Sequence, residues 1–111
     1  MAAYLVSICR SVSDWEGLEA YWANVAPSFE GLGAKPLAAY TPFEQLEGSG
    51  SNLGMVIFEF PSMEIAKRWY ESPAYRAVKQ FRQGAAEFDL FLAEGGVVPA
   101  QARMPGIRPP G

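Results

Sequence analysis

One run of residues, 53–60 (LGMVIFEF), constrains the fold more than any other part of the sequence. Both alternating sets of positions in this run are apolar as far as Glu59, which is the pattern of a strand covered on both sides. We therefore place this strand in the centre of a sheet. The side that we assign to the helices consists of Val56, Phe58 and Phe60. The opposite side consists of Met55, Ile57 and Glu59.

Three further strands are predicted from residue composition and alternation. Residues 4–10 are rich in β-branched and apolar types and form the first strand. Residues 36–47 form the second, interrupted near Pro42, which suits a bulge or an edge position because proline cannot donate a hydrogen bond to a neighbouring strand. Residues 87–93 form the last strand. One side of it carries Phe88, Leu90 and Leu92, and the other carries Glu87, Asp89 and Phe91.

Helical segments separate these strands. Ser13 and Glu16 have the spacing of a capping box, which predicts a first helix beginning at Ser13. Pro27 kinks or divides this helix, and its apolar positions form one stripe that must face a core. The stripe consists of Trp15, Leu18, Trp22, Val25, Phe29 and Leu32. A second helix begins at Ser62, and Ser72 begins a third in series with it.

The order of these elements predicts the architecture. In a chain of 111 residues it gives an α+β fold, the ferredoxin-like βαββαβ plait, a four-stranded antiparallel sheet with helices on one face. Right-handed crossovers place the first and third strands in the centre. We expect this domain to span residues 1–95. Residues 96–111 are rich in proline and glycine, which predicts a mobile C-terminal tail or an arm laid along a neighbouring subunit.

The face of the sheet away from the helices is too apolar to lie comfortably in water. We assign to it Met55, Ile57, Glu59, Asp89 and Phe91, with Ser7 and Cys9 from the first strand. A sheet face of this kind favours packing against a second copy of the chain. We therefore predict a homodimer in which two sheets together form a barrel.

Charge and residue content argue against several classes of function. A net charge of −3 argues against a nucleic-acid partner, which needs clustered basic residues. The absence of histidine excludes imidazole bases, the usual haem ligand and nearly all zinc sites, so we predict no metal and no cofactor. No apolar run approaches the roughly 20 residues of a membrane span, and no secretory signal opens the sequence. The lone Cys9 also favours a cytoplasmic protein.

A set of residues around the second helix resembles one protein family. Glu59-Phe60-Pro61-Ser62 is followed by Ala66, Trp69-Tyr70, Ser72-Pro73, Tyr75 and Arg82, and Leu46-Glu47-Gly48 and Leu92-Ala93-Glu94-Gly95 agree as well. The pattern is similar to the domain of unknown function 1330 family of the dimeric α/β-barrel superfamily. The resemblance implies the fold and the dimer. It leaves the reaction open, because the superfamily includes cofactor-independent monooxygenases, lactone isomerases, haem enzymes and ligand-sensing domains.

Three residues are candidates for catalysis. Glu59 is a carboxylate on an apolar strand and a candidate general base, unless it pairs with an arginine at the dimer interface or caps the next helix. Arg82 is a candidate for binding a carboxylate or a developing oxyanion, unless it forms an ion pair between helix and sheet. Tyr75 can also stabilise negative charge. The ligand-binding candidates are Trp22, Trp69 and Tyr70, although aromatic residues at helical spacing usually belong to the core.

These residues predict a small-molecule-binding homodimer. A small, largely apolar organic ligand binds between sheet and helices, with Glu59 and Arg82 as polar anchors. As an enzyme, the protein acts without a cofactor on a small organic acid or carbonyl compound, by proton transfer or oxygenation. In the alternative, it is a non-catalytic ligand-sensing or structural dimerisation module.

Overall fold

A four-stranded antiparallel sheet carries three helices on one face in the computed structural model, which describes residues 1–107 and Pro109. The strands are β1 (Ala3–Val12), β2 (Lys35–Ala39), β3 (Gly54–Phe60) and β4 (Ala86–Glu94). The helices are α1 (Trp15–Asn24), α2 (Met63–Glu71) and α3 (Pro73–Arg82), and short 3-10 helices lie at Ala26–Phe29 and Ala100–Ala102. Arg108, Pro110 and Gly111 of the predicted tail lie outside the described residues.

The strand order confirms the predicted architecture. The strands lie in the order β2-β3-β1-β4, so β1 and β3 are central. β3 pairs antiparallel with β1 and β2, and β1 pairs antiparallel with β4. The chain therefore has the α+β, ferredoxin-like βαββαβ fold, with its crossovers over one face of the sheet.

The register of β1 corrects the placement of two of its residues. Ser7 lies opposite Val56 of β3, and residues directly opposite one another in a ladder share a face. Ser7 and, two positions along, Cys9 therefore lie on the helix side, where Cys9 is buried. Val6 and Ile8 take their places on the other face.

The second strand is shorter than the pattern predicted. It lies at the edge of the sheet as expected, but it ends at Ala39 rather than at residue 47. Tyr40 has a φ of 56°, in the left-handed region, which turns the chain out of the strand. Residues 41–53 form a loop without helix or strand. A register shift between Pro36 and Ala38 marks an irregularity in the strand itself.

The first helix begins one residue later than the capping-box spacing suggested. Asp14 is its N-cap and accepts a hydrogen bond from the Gly17 amide at 3.3 Å. Ser13 instead donates its hydroxyl to the Gly84 carbonyl at 3.1 Å, because its backbone is bonded to the turn before β4. Pro27 divides the segment as predicted, since a separate 3-10 helix follows α1.

The apolar stripe of α1 is rotated relative to the prediction. Trp15 is 57% exposed and Trp22 is 38% exposed. Leu18 is buried, and Tyr21 and Val25 pack against the core. The spacing of three and four residues is the same in both stripes, so the sequence alone does not distinguish them.

Two serines set the geometry of the second and third helices. Ser62 accepts a hydrogen bond from the Ile65 amide at 3.1 Å and caps α2. Ser72 accepts from the Tyr75 amide at 3.1 Å and caps α3, and its hydroxyl donates to the Trp69 carbonyl at 2.7 Å. Both predicted caps are confirmed. The junction brings the rings of Trp69 and Tyr75 into the core with their centroids 4.1 Å apart.

The face of the sheet away from the helices, here called the open face, carries an apolar band. That band consists of Val6, Ile8, Met55, Ile57 and Phe91. Phe91 is 58% exposed. At one end of the band Tyr4 donates to Glu59 at 3.2 Å, and at the other Arg10 pairs with Asp89 at 2.7 Å. The predicted assignments of Met55, Ile57, Glu59, Asp89 and Phe91 to this face are correct.

Gly17→Ala is expected to destabilise the protein, although alanine normally stabilises a helix relative to glycine. A Cβ at position 17 would lie 2.8 Å from the Ala85 Cβ and 3.0 Å from the Phe81 carbonyl oxygen. Overpacking of this kind costs about 1–3 kcal/mol. Urea denaturation measures the change, with Gly106→Ala as the control because nothing lies within 4 Å of its added Cβ. A higher unfolding midpoint for Gly17→Ala would contradict the close packing of α1 on the α3–β4 turn.

Candidate ligand-binding site

A cavity of about 160 Å³, here called the inner cavity, lies between α1 and the helix side of the sheet. The aromatic residues that line it are Tyr21, Trp22, Phe29, Tyr40, Phe58, Trp69 and Phe88. None of its described lining residues carries a formal charge. An engineered apolar cavity of about 150 Å³ in another protein binds benzene. The inner cavity is therefore of a size for a molecule with a single ring.

A chain of three polar side chains, here called the tyrosine relay, ends at the wall of this cavity. The Tyr21 hydroxyl, which belongs to the wall, lies 2.9 Å from the Tyr75 hydroxyl. Arg82 donates from its Nη2 to the Tyr75 hydroxyl at 3.5 Å. Tyr75 is fully buried and Arg82 is 8% exposed, so the relay extends from the core to the cavity.

The direction of the hydrogen bonds follows from the chemistry of arginine. A guanidinium has donors and no acceptor, so Arg82 donates to Tyr75. The buried Tyr75 hydroxyl must then place its own proton on an acceptor, and Tyr21 provides one. Burial raises the pKa of Tyr21, which keeps its hydroxyl neutral. The proton of Tyr21 is thus left to donate into the cavity.

Arg82 is a buried cation without an anionic partner among the described residues. The ion pairs of the described residues involve Arg10 and Arg68. Among these residues Arg82 therefore does not form the ion pair between helix and sheet that was the alternative interpretation of its role. Its Nε makes no hydrogen bond. The guanidinium carbon instead lies 5.6 Å from the ring centroid of Tyr21 and 5.2 Å from that of Phe88. Such cation–π contacts stabilise the charge without neutralising it.

A second tyrosine, Tyr40, lines the inner cavity next to Trp22. Trp22 donates from its Nε1 to the Tyr40 hydroxyl at 2.9 Å, and the two rings meet edge to face. Since the Tyr40 oxygen accepts this bond, its own proton stays available to another acceptor. Both side chains are partly exposed, so they lie where the cavity opens to solvent. The left-handed backbone of Tyr40 is the local strain that places its ring there.

Gly54→Ala is expected to displace the Tyr40 ring. The added Cβ would lie 2.8 Å from Cδ1 of that ring, and so Tyr40 must move away from β3 and lose its hydrogen bond to Trp22. The indole NH signal of Trp22 in a ¹H–¹⁵N spectrum should shift, and the free energy of unfolding should fall by about 1 kcal/mol. An unchanged Trp22 signal would show that Tyr40 is not held against Gly54 in solution.

The structure separates the two predicted polar anchors. Arg82 lies on the helix side, but Glu59 lies on the open face, because side chains alternate along β3 and Phe58 and Phe60 point toward the helices. Glu59 there accepts a hydrogen bond from Tyr4. The structure therefore does not bring Glu59 and Arg82 together in one pocket, and the role of Glu59 as a base stays a prediction.

The three aromatic ligand-binding candidates are divided between two sites. Trp22 lines the inner cavity, and Trp69 lines both the inner cavity and a second groove. Tyr70 lies in this second groove of about 320 Å³ beside α2 and β4, where Lys79 donates to its hydroxyl at 2.8 Å. The groove is larger, but its charged lining residues Lys67 and Glu71 are exposed. The inner cavity is therefore the better candidate site.

Sequence reasoning found Arg82 and Tyr75 but missed Tyr21 and Tyr40. Tyr21 lies three residues after Leu18, and this helical spacing indicates that Tyr21 lies on the same buried side of the helix. Tyr40 stands within the segment assigned to a strand, where no local pattern indicates a left-handed turn.

The described residues contain neither a candidate metal cluster nor a candidate membrane span. Within residues 1–107 and Pro109, no group of three or more histidine, cysteine, aspartate or glutamate side chains is arranged to hold a metal ion. No helix in the same part of the chain has the length and apolar character needed to cross a membrane.

Comparisons with solved structures support the fold. A protein of unknown function from Rhodopseudomonas palustris is 23% identical, with a TM-score of 0.66 over 88% of this chain and 84% of its own. A dimeric ferredoxin-like protein of unknown function from Thermobifida fusca is 10% identical, with a TM-score of 0.60 over 85% and 91%. SnoaB from Streptomyces nogalater, described as a cofactor-independent oxygenase, is 11% identical, with a TM-score of 0.60 over 89% and 97%. At these identities the likeness shows the fold alone.

A family model matches most of the chain, whereas no curated protein matches the chain. The family described as Domain of unknown function (DUF1330) matches residues 2–96. This range contains all four strands, the three helices and every residue of the tyrosine relay. The chain therefore belongs to the DUF1330 family.

Proposed function

We propose that the protein is a homodimer that binds a small, largely apolar organic molecule in the inner cavity of each protomer. The aromatic walls support this proposal, because small-molecule sites are mostly apolar and contain a few polar groups that orient the ligand. Tyr21 supplies such a group from α1, and Tyr75 and Arg82 support it from α3.

One observation carries the proposal: a buried guanidinium is connected through two hydroxyls to the wall of an uncharged cavity. Buried polar groups in a purely structural role are hydrogen-bonded within the protein. In this chain the Arg82 Nε has no partner, and the last proton of the relay, on Tyr21, has no acceptor among the described residues. A ligand oxygen in the cavity would accept that proton.

The open face supports the homodimer. Its apolar band is partly exposed in one protomer, and a self-complementary surface buried about a two-fold axis is the usual solution for such a face. The solved structure from Thermobifida fusca is described as dimeric and has the same fold. Because the inner cavity lies on the helix side, dimerisation leaves it free to bind a ligand.

The three tryptophans provide a direct test of the ligand site. Trp22 and Trp69 line the inner cavity, whereas Trp15 does not. On titration with acetophenone, an aromatic ketone with a single ring, the indole NH signals of Trp22 and Trp69 should shift in a ¹H–¹⁵N spectrum and that of Trp15 should stay in place. Equal shifts of all three signals, or none, would contradict binding in the inner cavity. Native mass spectrometry of the freshly purified protein would reveal a co-purified ligand.

The relay favours a second candidate function, a cofactor-independent enzyme that acts on a small organic acid or carbonyl compound. The donor that binds a ligand oxygen also stabilises negative charge that develops on it, as proton transfer or oxygenation requires. The neighbour described as a cofactor-independent oxygenase is compatible with this candidate at the level of the fold. Since no described carboxylate lines the inner cavity, a substrate proton must pass to water.

Exchange of the acetophenone methyl protons in D₂O tests for catalysis. If the protein is an enzyme of this kind, the methyl signal should decay faster with the wild type than with Tyr21→Phe. Equal rates would favour the non-catalytic alternative, in which the domain senses a ligand or serves as a dimerisation module.

We also propose a division of the chain and a location for it. Residues 1–95 form the domain, and residues 96–111 form a tail or dimer arm, since Val97 is 86% exposed and Ile107 is 73% exposed. The net charge of −3 and the single cysteine support a cytoplasmic protein without a nucleic-acid partner. Limited proteolysis should therefore remove the tail without changing the melting temperature of the domain, unless the tail is an arm of the dimer.

A further inference from the structure

The buried charge of Arg82 limits the chemical class of the ligand. Its side chain is 8% exposed, and no described carboxylate neutralises it. Burying an unpaired charge is costly, and buried charges in proteins are normally paired. The aromatic faces of Tyr21 and Phe88 compensate for part of this cost only. The site therefore has an unmet preference for negative charge.

Two tyrosines line the inner cavity, and each hydroxyl has a proton that no described residue accepts. The oxygen of Tyr40 accepts from Trp22, and the oxygen of Tyr21 accepts from Tyr75 in the direction that the Arg82 donor requires. In each case the tyrosine oxygen accepts one hydrogen bond from the protein, and the proton of the same hydroxyl stays free to donate to a ligand. Tyr21 and Tyr40 both line this one cavity of about 160 Å³, so a ligand that fills it contacts both residues.

From this arrangement we infer that the ligand is an ionised carboxylic acid with a single apolar ring, whose carboxylate accepts hydrogen bonds from Tyr21 and Tyr40. The inference rests on the proposed function and narrows its ligand class. A carboxylate has two oxygens for two donors, and its charge offsets that of the guanidinium behind the relay. The ring occupies the aromatic part of the cavity, whose volume of about 160 Å³ suits one ring.

A neutral ligand of the same shape should bind less tightly. A hydrogen bond to a charged acceptor contributes roughly twice as much as one between neutral groups. Tyr21 and Tyr40 supply two such bonds, so an aromatic carboxylate should bind about tenfold more tightly than an aromatic ketone of the same size. Removing one hydroxyl should reduce this preference severalfold, because one oxygen of the carboxylate then lacks its donor.

Calorimetric titration of benzoate and acetophenone into the full chain at neutral pH measures this preference. We expect benzoate to bind about tenfold more tightly to the wild type. Tyr21→Phe and Tyr40→Phe should each weaken benzoate binding severalfold and change acetophenone binding less. Tyr70→Phe is the matched control, because its hydroxyl lies in the second groove with Lys79, and it should bind both ligands as the wild type does.

The outcomes separate this inference from the proposed function. Equal affinities for the two ligands, with the Trp22 and Trp69 indole signals shifting for both, would overturn the carboxylate preference and leave the inner cavity as a ligand site. Binding of neither ligand would contradict the proposed function and the inference together. An unchanged preference in both Tyr21→Phe and Tyr40→Phe would overturn the roles of the two hydroxyls. Tyr21 lies in α1 and Tyr40 follows β2, so if one variant fails to fold, the other still tests the carboxylate preference.

Discussion

Phe91→Glu is expected to convert the proposed dimer into monomers, whereas Phe81→Glu should leave it intact. The two phenylalanines are exposed to similar extents, 58% and 45%, but Phe91 lies on the open face and Phe81 lies on α3. In a two-fold dimer each glutamate would be buried against the apolar band of the partner, and symmetry introduces the charge twice. An uncompensated buried charge costs about 3–5 kcal/mol. The dissociation constant should rise by about a thousandfold or more.

Sedimentation equilibrium over a concentration series measures this change, and circular dichroism checks that both variants remain folded. Since both side chains are exposed in the protomer, neither substitution removes a contact in the core. A monomeric wild type at micromolar concentration would refute the dimer itself. Dimers of unchanged affinity in Phe91→Glu would mean that the interface lies elsewhere.

The sequence predicts the fold well because β3 is apolar on both sides, as a central strand is, and β4 has two distinct faces. In β4 the alternation of apolar and charged residues assigns Phe91 and Asp89 to the open face, as the structure has them. In β1 almost every position is apolar or small, so no alternation separates its faces. Only the pairing of Ser7 with Val56 settles which side it occupies, and pairing between distant strands is not visible in a local pattern.

The candidate site was only partly predictable because it is assembled from distant segments. Tyr21 and Tyr75 are 54 positions apart in the chain, and their contact depends on the rotation of α1 about its own axis. A shift of the buried stripe by one residue along α1 replaces Tyr21 by Trp22, and either residue fits the helical spacing of three and four. Arg82 was found because a charged residue next to apolar helical positions stands out in the sequence. Glu59 stood out for the same reason, and its place on the open face shows that burial alone does not assign a residue to a ligand site.

Arg82→Met is expected to preserve or increase stability and to abolish the preference for benzoate. Methionine is apolar and flexible and fills most of the volume of the arginine stem. The substitution removes a buried cation that has no carboxylate partner and whose one bond to Tyr75 is long, at 3.5 Å. Replacing buried charges by apolar residues of similar volume is often neutral or stabilising by about 1–4 kcal/mol. The free energy of unfolding should therefore not fall.

Arg82→Met should weaken benzoate binding, although it does not lower stability. Without the guanidinium, Tyr75 has no donor behind it, and the relay no longer directs a polarised proton from Tyr21 into the inner cavity. Benzoate affinity should fall about tenfold, to that of acetophenone. Arg76→Met is the matched control on the same helix, because Arg76 is exposed and should affect neither quantity.

Stability and ligand preference together distinguish a functional arginine from a structural one. A residue retained for folding should destabilise the protein when replaced, because its contacts with Tyr21 and Phe88 would then outweigh the cost of burying the charge. A residue retained for a ligand can be removed at no cost in stability, which is the usual relation between an active site and the fold that carries it. Denaturation and calorimetry on Arg82→Met therefore decide between the two roles. A loss of about 3 kcal/mol with unchanged benzoate affinity would assign Arg82 to the core.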